Sequence, residues 1–308
     1  MPVKRLSVAS LFSGCGGMDL GFLGGFHFGD YYYDGLPFKI MWANDINKRA
    51  CDTYELNLKH SIRHGPLSSA IEELPKRVDV VIGGFPCQDV SINGTKKGIA
   101  GERTILYREM IEVIRRVRPV AFVAENVKGL TMSHGADFFT QMIDDFKSLR
   151  GYKLDHRVYL AANYGVPQMR ERVFIVGIKG KQFQPPETLP LCERMTAREA
   201  ICDLEGKRED KETAHIWSRA RTSPDQGSRK LKANLPATTI RAECHGNQQW
   251  HYRLKRRISL REAARLQSFP DSFVFPGGMR ETERQIGNAV PPVMAWYMAR
   301  SLHEQIDV

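Results

Sequence analysis

The sequence predicts an α/β protein built on a mostly parallel sheet with helices on both faces, joined to a second, smaller domain. Three observations carry this. Short apolar runs alternate with helical patterns through the first half of the 308 residues, as strands and crossover helices do. Small and polar residues fall at the ends of those runs: Phe12 to Gly17, Asp45, Phe85 to Gln88, and Glu125 with Asn126. In parallel sheets, ligands sit outside the carboxyl ends of strands. Finally, near Lys181 the composition changes, and from there to about Arg257 periodicity is weak while polar and basic residues are frequent.

Taken in order, Leu6 to Phe12, Ile40 to Ala43 and Val78 to Ile82 read as strands. Thr104 to Arg118 reads as a helix with Leu106, Met110, Val113, Ile114 and Val117 on one face, and Pro119 ends it. Val120 to Ala124 and Arg172 to Ile178 are further strands. Gln182 to Pro190 holds three prolines and reads as a linker. Ile258 to Phe269 is helical again, and the tail from Ile286 to Ile306 has a proline pair followed by an apolar helical pattern. These changes of pattern divide the chain into residues 1–180, 181–284 and 285–308.

Composition narrows the classes. Hydrophobic residues make up 42% and charged residues 26%, ordinary for a globular protein, and no apolar run approaches membrane-span length. None of the six cysteines forms a CxxC pair, so reduced thiols in a cytoplasm are expected and no metal site is. The formal net charge is +10, and between Thr213 and Arg257 ten Lys/Arg face only two acidic residues. Such a run is either a solvated surface or a face for nucleic acid, and its concentration in one segment favours the second.

Five motifs can carry chemistry. Phe12-Ser13-Gly14-Cys15-Gly16-Gly17 follows a strand; its glycines permit a tight turn and close backbone approach to a ligand, and Asp45 at the next strand's end can accept from ribose hydroxyls. Asp19 stands where a dinucleotide fingerprint would have its third glycine, which disfavours a dinucleotide. Alternatively this is a turn with a helix-capping Asp. Gly83-Gly84-Phe85-Pro86-Cys87-Gln88 presents a cysteine at a strand end, either a nucleophile or an ordinary half-buried thiol. Glu125-Asn126-Val127 would sit beside it on the adjacent strand, unless Glu125 is a helix cap. In Gln168-Met169-Arg170-Glu171-Arg172 the two arginines can hold a phosphate and a base carbonyl, or Glu171 neutralises a surface pair. Gln285 to Pro292 places Asn288 in a glycine turn.

These segments, in this order and with the REAARLQSFPDSF run from Arg261, resemble the C5-cytosine-specific DNA methyltransferase family of the prokaryotic restriction-modification type. The resemblance covers nearly the whole chain outside about Lys181 to Arg257. It implies a Rossmann-like S-adenosylmethionine-dependent methyltransferase domain (catalytic and cofactor-binding, residues 1–180), a smaller target-recognition domain (residues 181–284) and a C-terminal segment (residues 285–308) that returns to the first. It also implies cofactor contacts from Phe12, Ser13, Gly14, Gly16, Gly17, Asp45, Ile46 and Asn288, with Phe12 stacked on adenine and Asp45 on the ribose. Cys87 would be the nucleophile, Glu125 would bind the ring nitrogen, Arg172 would face the target base and Arg170 a phosphate. Gln88, Ser91 and Asn93, in a glycine-rich segment that resembles the family's mobile loop, would meet DNA. So would Thr238, Thr239 and Arg241, while Asn247, Gln248 and Gln249 could read base edges.

The implied reaction flips the cytosine from the duplex. The Cys87 thiolate adds to carbon 6, carbon 5 takes the methyl group, a base removes the carbon 5 proton, and Cys87 leaves. The implied partner is double-stranded DNA, in a monomer that works alongside a restriction endonuclease without a stable complex. The chain departs from the family at Pro66, where an Asp commonly contacts adenine, and at Ile46, where an aromatic is common. The rivals are an RNA-directed relative, disfavoured because its Cys-Phe-Thr tripeptide is missing, and a non-catalytic DNA binder, which would need neither Cys87 nor Glu125.

Overall fold

The computed structural model describes residues 5–86, 106–132, 135–221, 229–242 and 248–306. Its centre is a seven-stranded sheet. Strand β1 (Leu6–Leu11) leads through helix α1 (Gly17–Leu23) and a small hairpin, β2 (Phe26–Phe28) and β3 (Tyr31–Tyr33), to β4 (Phe38–Asp45). Helix α2 (Lys48–Leu58), the two-residue β5 (Arg63–His64) and the single turn α3 (Leu67–Ala70) follow, then β6 (Val80–Gly84). Helix α4 (Leu106–Val117) precedes β7 (Ala121–Val127), and α5 (Ala136–Lys147) precedes β8 (Tyr152–Leu160). After β9 (Gln168–Met169), β10 (Glu171–Lys179) turns back into the sheet.

The strand order is β5-β4-β1-β6-β7-β10-β8. Pairings from β5 to β7 are parallel, and β10 is antiparallel to both β7 and β8. The chain leaves β1 toward β4 on one side and returns to β6 on the other, so the carboxyl end of β1 is a topological switch point where a crevice opens. Apolar layers cover both faces. One includes Val8, Phe22, Tyr54 and Trp296; the other includes Leu11, Val81, Met110 and Phe146.

Local signals fix the helices. Asn47 caps α2 by accepting from the backbone N–H of Arg49 and Ala50, and Lys59 in the left-handed region ends it. Helix α4 buries Tyr107, Met110, Ile111, Val113, Ile114 and Val117 and stops before Pro119, as the sequence predicts.

Beyond Lys179 regular structure is sparse: α6 (Ala197–Ile201), β11 (Ala237–Thr238) and α7 (Leu260–Leu266), the last closed by a capping box of Ser259 and Glu262. Helices α8 (Met279–Asn288) and α9 (Pro292–His303) complete the chain, and α9 lies on α1 in the first apolar layer. A third apolar cluster joins this region to the sheet domain, with Ile240, Ala263 and Ile286 packed around Cys15.

Two expectations change here. The proline-rich stretch 182–190 is no free linker: Phe183 is buried, and Gln184 is tied to α9 by Ser301 and Gln305. Asn288 ends a helix instead of sitting in a glycine turn, because Gly287 must lie inside α8 where the backbone of Arg241 and Ala242 crosses it; a Cβ there would be 2.3 Å from the Ala242 nitrogen. A domain boundary at 284/285 therefore falls within α8. Among the described residues no helix is long and apolar enough to cross a membrane.

Candidate active site

The loop after β1 crosses the switch point. Phe12 has φ 53°, an unusual value for a residue with a side chain, and its ring packs half-buried on the second apolar layer. The Ser13 N–H donates to the Asn44 carbonyl at the end of β4 (3.0 Å). The three glycines serve different needs. Gly14 (φ 56°) borders open space, Gly16 (φ 92°) lets Tyr54 and Leu58 of α2 approach, and Gly17 admits the Val290 carbonyl, which a Cβ would meet at 2.4 Å. Only Gly14 leaves room for a ligand against the backbone.

Asp45 ends β4 beside this loop. One carboxylate oxygen accepts from the Gly14 N–H and the other from the Asn47 N–H, both at 2.8 Å. Burial pushes its pKa up, while those two N–H groups hold it down. Each oxygen retains a lone pair for a hydroxyl donor. Next to it Ile46 is 68% exposed, an apolar side chain offered to solvent at the crevice. Pro66 caps α3 through its carbonyl, which accepts from Ser69, and Gly65 donates to the Asp45 carbonyl. The position that would carry an adenine-binding acid thus adjoins Asp45 without a polar side chain. A fixed carboxylate, an open glycine backbone and an exposed apolar surface fit a nucleoside with a ribose diol. Asn288 is exposed at the end of α8.

The second half of the site lies at the ends of β6 and β7. Their register places Gly84 opposite Glu125. The glycine pair has two local reasons: a Cβ at Gly83 would press on Leu11 of β1 at 3.0 Å, and one at Gly84 would sit 3.0 Å from Glu125 Oε2. Asn126 Nδ2 donates to the Phe85 carbonyl (2.8 Å), and Phe85 is buried, so the chain leading to Cys87 is held beside Glu125. Cys87, Gln88, Ser91 and Asn93 lie outside the described residues.

Glu125 is only 6% exposed and belongs to β7, so it is not a helix cap. Arg172 Nε donates to its Oε1 at 2.9 Å from the neighbouring β10. Burial raises the Glu125 pKa; the charges of Arg172 and Arg170 and the Arg172 hydrogen bond oppose this. A buried carboxyl can donate to a heterocyclic nitrogen when protonated and accept from its N–H when ionised. The motifs did not foretell this pairing of Glu125 with Arg172. Glu171 instead bonds Lys128 (2.8 Å).

Arg170 departs from its expected place. It is 0% exposed, and its guanidinium donates to the carbonyls of Ile240 (3.0 Å), Gly287 (2.6 Å) and Ala289 (3.1 Å). It holds three chain segments together and presents nothing to a phosphate. Gln168, which sequence reasoning passed over, works beside it: its amide meets Leu266, Gln267 and Ile240. Both are polar residues in a motif, and only their burial reveals the bracing role.

The recognition segment hangs on this brace. β11 pairs in parallel with β9, and Thr239 Oγ1 donates to the Met169 carbonyl (2.9 Å). Thr238 and Arg241 are exposed. Gln248 and Gln249 are buried, and Gln249 donates to the carbonyls of Thr238 and Thr239, so neither offers its side chain to base edges here. Asn247 lies outside the described residues. The basic run is also partly internal. Arg257 is buried over Trp250, Arg256 is bound to Glu262, and Arg219 and Arg253 pair with Glu209 and Glu205.

A doubly wound sheet with a glycine-bearing loop at its switch point, and a buried carboxyl at the end of a neighbouring strand, is the framework of a Rossmann-like methyltransferase. The chain belongs to the C-5 cytosine-specific DNA methylase family, whose model matches residues 6–233 and 208–304. The enzymes of this family act on DNA with S-adenosylmethionine as methyl donor. It is 35% identical to the Type II methyltransferase M.NgoFVII of Neisseria gonorrhoeae, covering 99% of this chain and 90% of that protein. It is 31% identical to the Type II methyltransferase M.FnuDI of Fusobacterium nucleatum, covering 98% and 95%. The fold also matches the Entamoeba histolytica methyltransferase EhMeth (TM-score 0.73, 15% identity, 99% and 100% covered) and S. pombe Dnmt2 (0.66, 17%, 99% and 100%).

Proposed function

We propose that this enzyme methylates carbon 5 of one cytosine within a specific double-stranded DNA sequence and so protects DNA from a cognate restriction endonuclease. The restriction role rests on similarity over almost the full length to Type II methyltransferases. The site assignment rests on one observation above the others: the Glu125 carboxyl, buried and tied to Arg172, stands opposite the glycine that leads into the Cys87 loop.

In this reading S-adenosylmethionine supplies the electrophilic methyl group. Asp45 accepts the ribose hydroxyls, Ile46 and Phe12 flank the adenine, and the backbone around Ser13 and Gly14, with Gly16, Gly17 and Asn288, frames the cofactor. Cys87 attacks carbon 6 of the flipped base. Glu125 shares a proton with the ring nitrogen, and Arg172 holds Glu125 in place and faces the base. Thr238, Thr239 and Arg241, with Gln88, Ser91 and Asn93, meet the DNA. The catalytic unit is residues 1–180 with 285–308, and residues 181–284 form the recognition unit, with α8 bridging them. The enzyme acts as a cytoplasmic monomer, paired with its nuclease by DNA sequence and not by a stable complex.

A trapping experiment tests the cysteine and the acid together. Replacing the carbon 5 hydrogen of the target cytosine by fluorine leaves no proton to remove, so the Cys87 adduct cannot break down. Wild-type protein with S-adenosylmethionine should form a denaturation-resistant complex on such DNA. Cys87→Ser should form none, and Glu125→Gln should form it ~100-fold more slowly. A complex that persists in Cys87→Ser would remove the assigned nucleophile.

A further inference from the structure

A chain of buried hydroxyls runs beneath the cofactor loop and ends on a carboxylate that no motif assigned. Ser13 Oγ donates to Ser10 Oγ (2.8 Å), Ser10 Oγ donates to Asp19 Oδ2 (2.9 Å), and Tyr54 Oη donates to Asp19 Oδ1 (2.8 Å). Asp19 and Tyr54 are completely buried and Ser10 nearly so. Although Asp19 lies in the first turn of α1, its side chain does not cap that helix. It joins β1, the loop and α2 at one point.

Both walls of the nucleoside site depend on those three elements. Ser13 immediately precedes Gly14, whose N–H holds one oxygen of Asp45. Tyr54 stands on α2 against Gly16, and α2 begins at Asn47, whose N–H holds the other oxygen. An ionised Asp19 can accept from Ser10 Oγ and Tyr54 Oη together, with Ser13 Oγ donating to Ser10 Oγ or to the Ser10 carbonyl (3.1 Å). An ionised carboxylate accepts both hydroxyls; a neutral acid or an amide presents a donor to one of them and reverses part of the chain.

We propose that Asp19 is a positioning residue for methyl transfer, acting as an ionised anchor that sets the cofactor loop against Asp45 through Ser10, Ser13 and Tyr54. This rests on the reading of that loop as the S-adenosylmethionine site. Burying a carboxylate with two hydroxyl donors and its own backbone N–H, and no cationic partner among the described residues, is costly to the fold.

The charge state adds a pH dependence. Burial pushes the Asp19 pKa up to about 6, against the two hydroxyl bonds that lower it. The titratable groups that face it are Tyr54, pushed far up by burial; Asp45, also raised; and Cys15, pushed up to about 12 and so neutral. A carboxyl with a folded-state pKa above its unfolded value favours folding when protonated, so its contribution to stability is largest at low pH and fades as pH rises through about 6. Loop order runs the opposite way, since it needs the ionised form. Stability and cofactor affinity therefore move apart at this residue.

Full-length wild type, Asp19→Asn, Ser10→Ala and Tyr54→Phe are compared by calorimetric titration with S-adenosylmethionine at pH 7.5 and pH 5.5, with thermal midpoints at both pH values. Asp19→Asn should bind about tenfold more weakly at pH 7.5, the scale of one charged hydrogen bond, with a midpoint at least as high as wild type. Its loss of affinity on going to pH 5.5 should be smaller than that of wild type, leaving the share due to Asp45. The kinetic loss should fall on KM for S-adenosylmethionine more than on kcat. Should Asp19→Asn fail to fold, the same direction is expected at smaller size in Ser10→Ala and Tyr54→Phe. Wild-type affinity in every folded variant, or an affinity loss matched by a lowered midpoint, overturns the proposal. If wild type itself does not bind S-adenosylmethionine, it is the cofactor reading that fails.

Discussion

Arg170 shows how burial reassigns a residue that its motif leaves ambiguous. A guanidinium near Arg172, at the mouth of a DNA enzyme, invites a phosphate, yet every bond it makes here goes to a backbone carbonyl. Burial pushes its pKa down, and the nearest favourable charge is Glu125, which already bonds Arg172. Removing it would take a donor from three carbonyls, of which Ala289 keeps Gln267. Arg170→Met should cost about 3 kcal/mol in denaturant unfolding. The same variant, in conditions where it is folded, should keep the wild-type dependence of DNA affinity on salt. A slope smaller by about one would mean a lost phosphate contact and would contradict the bracing role.

At the scale of elements, the C-terminal helix is part of the cofactor-binding domain's core. Helix α9 lies so close to α1 that a Cβ at Gly21 would be 2.4 Å from Ala295 Cβ and 2.5 Å from the Pro292 carbonyl. Gly21→Ala should therefore lower stability by about 2 kcal/mol in urea unfolding through overpacking, despite alanine's better helix propensity. The return of the tail is what the family resemblance implies, and the apolar pattern after the proline pair suits a core helix. Strands β1, β6, β7 and β10 were legible to within a few residues because each is largely buried on both faces and reads as an apolar run, whereas β4 alternates exposed Lys39 and Met41 with buried neighbours and only Ile40 to Ala43 was legible. What escaped were β8, which exposes Lys153 and Arg157 on one face and His156 on the other, and the antiparallel insertion of β10 between β7 and β8. Period-two patterning does not encode direction. Helix α8 escaped too, since a glycine inside a helix reads as a turn until the segment crossing it at Ala242 is known.

Across the whole molecule, two apolar layers sandwich the sheet and a third cluster ties the sparse recognition region to the loop at Cys15. The carboxyl ends of β4, β1, β6 and β7 lie along one side of the sheet, with Asp45 on β4 and Glu125 on β7. The motifs contain the residues that brace this side (Asp19, Gln168, Arg170, Asn126) but not their bracing roles, because a buried polar residue and an exposed one look alike in sequence. The net charge of +10 suits a polyanionic substrate, though Arg256 and Arg257 are committed within the protein.

The central claim is a methyl group delivered to carbon 5 of cytosine in DNA by way of Cys87. Purified protein incubated with unmethylated DNA and methyl-labelled S-adenosylmethionine, followed by digestion to nucleosides, tests it directly, with tRNA as a competing substrate and Cys87→Ser in parallel. Label in 5-methyldeoxycytidine alone, absent from the Cys87→Ser reaction, is the predicted result. Label in tRNA in preference to DNA, in another nucleoside, or undiminished by Cys87→Ser would contradict it.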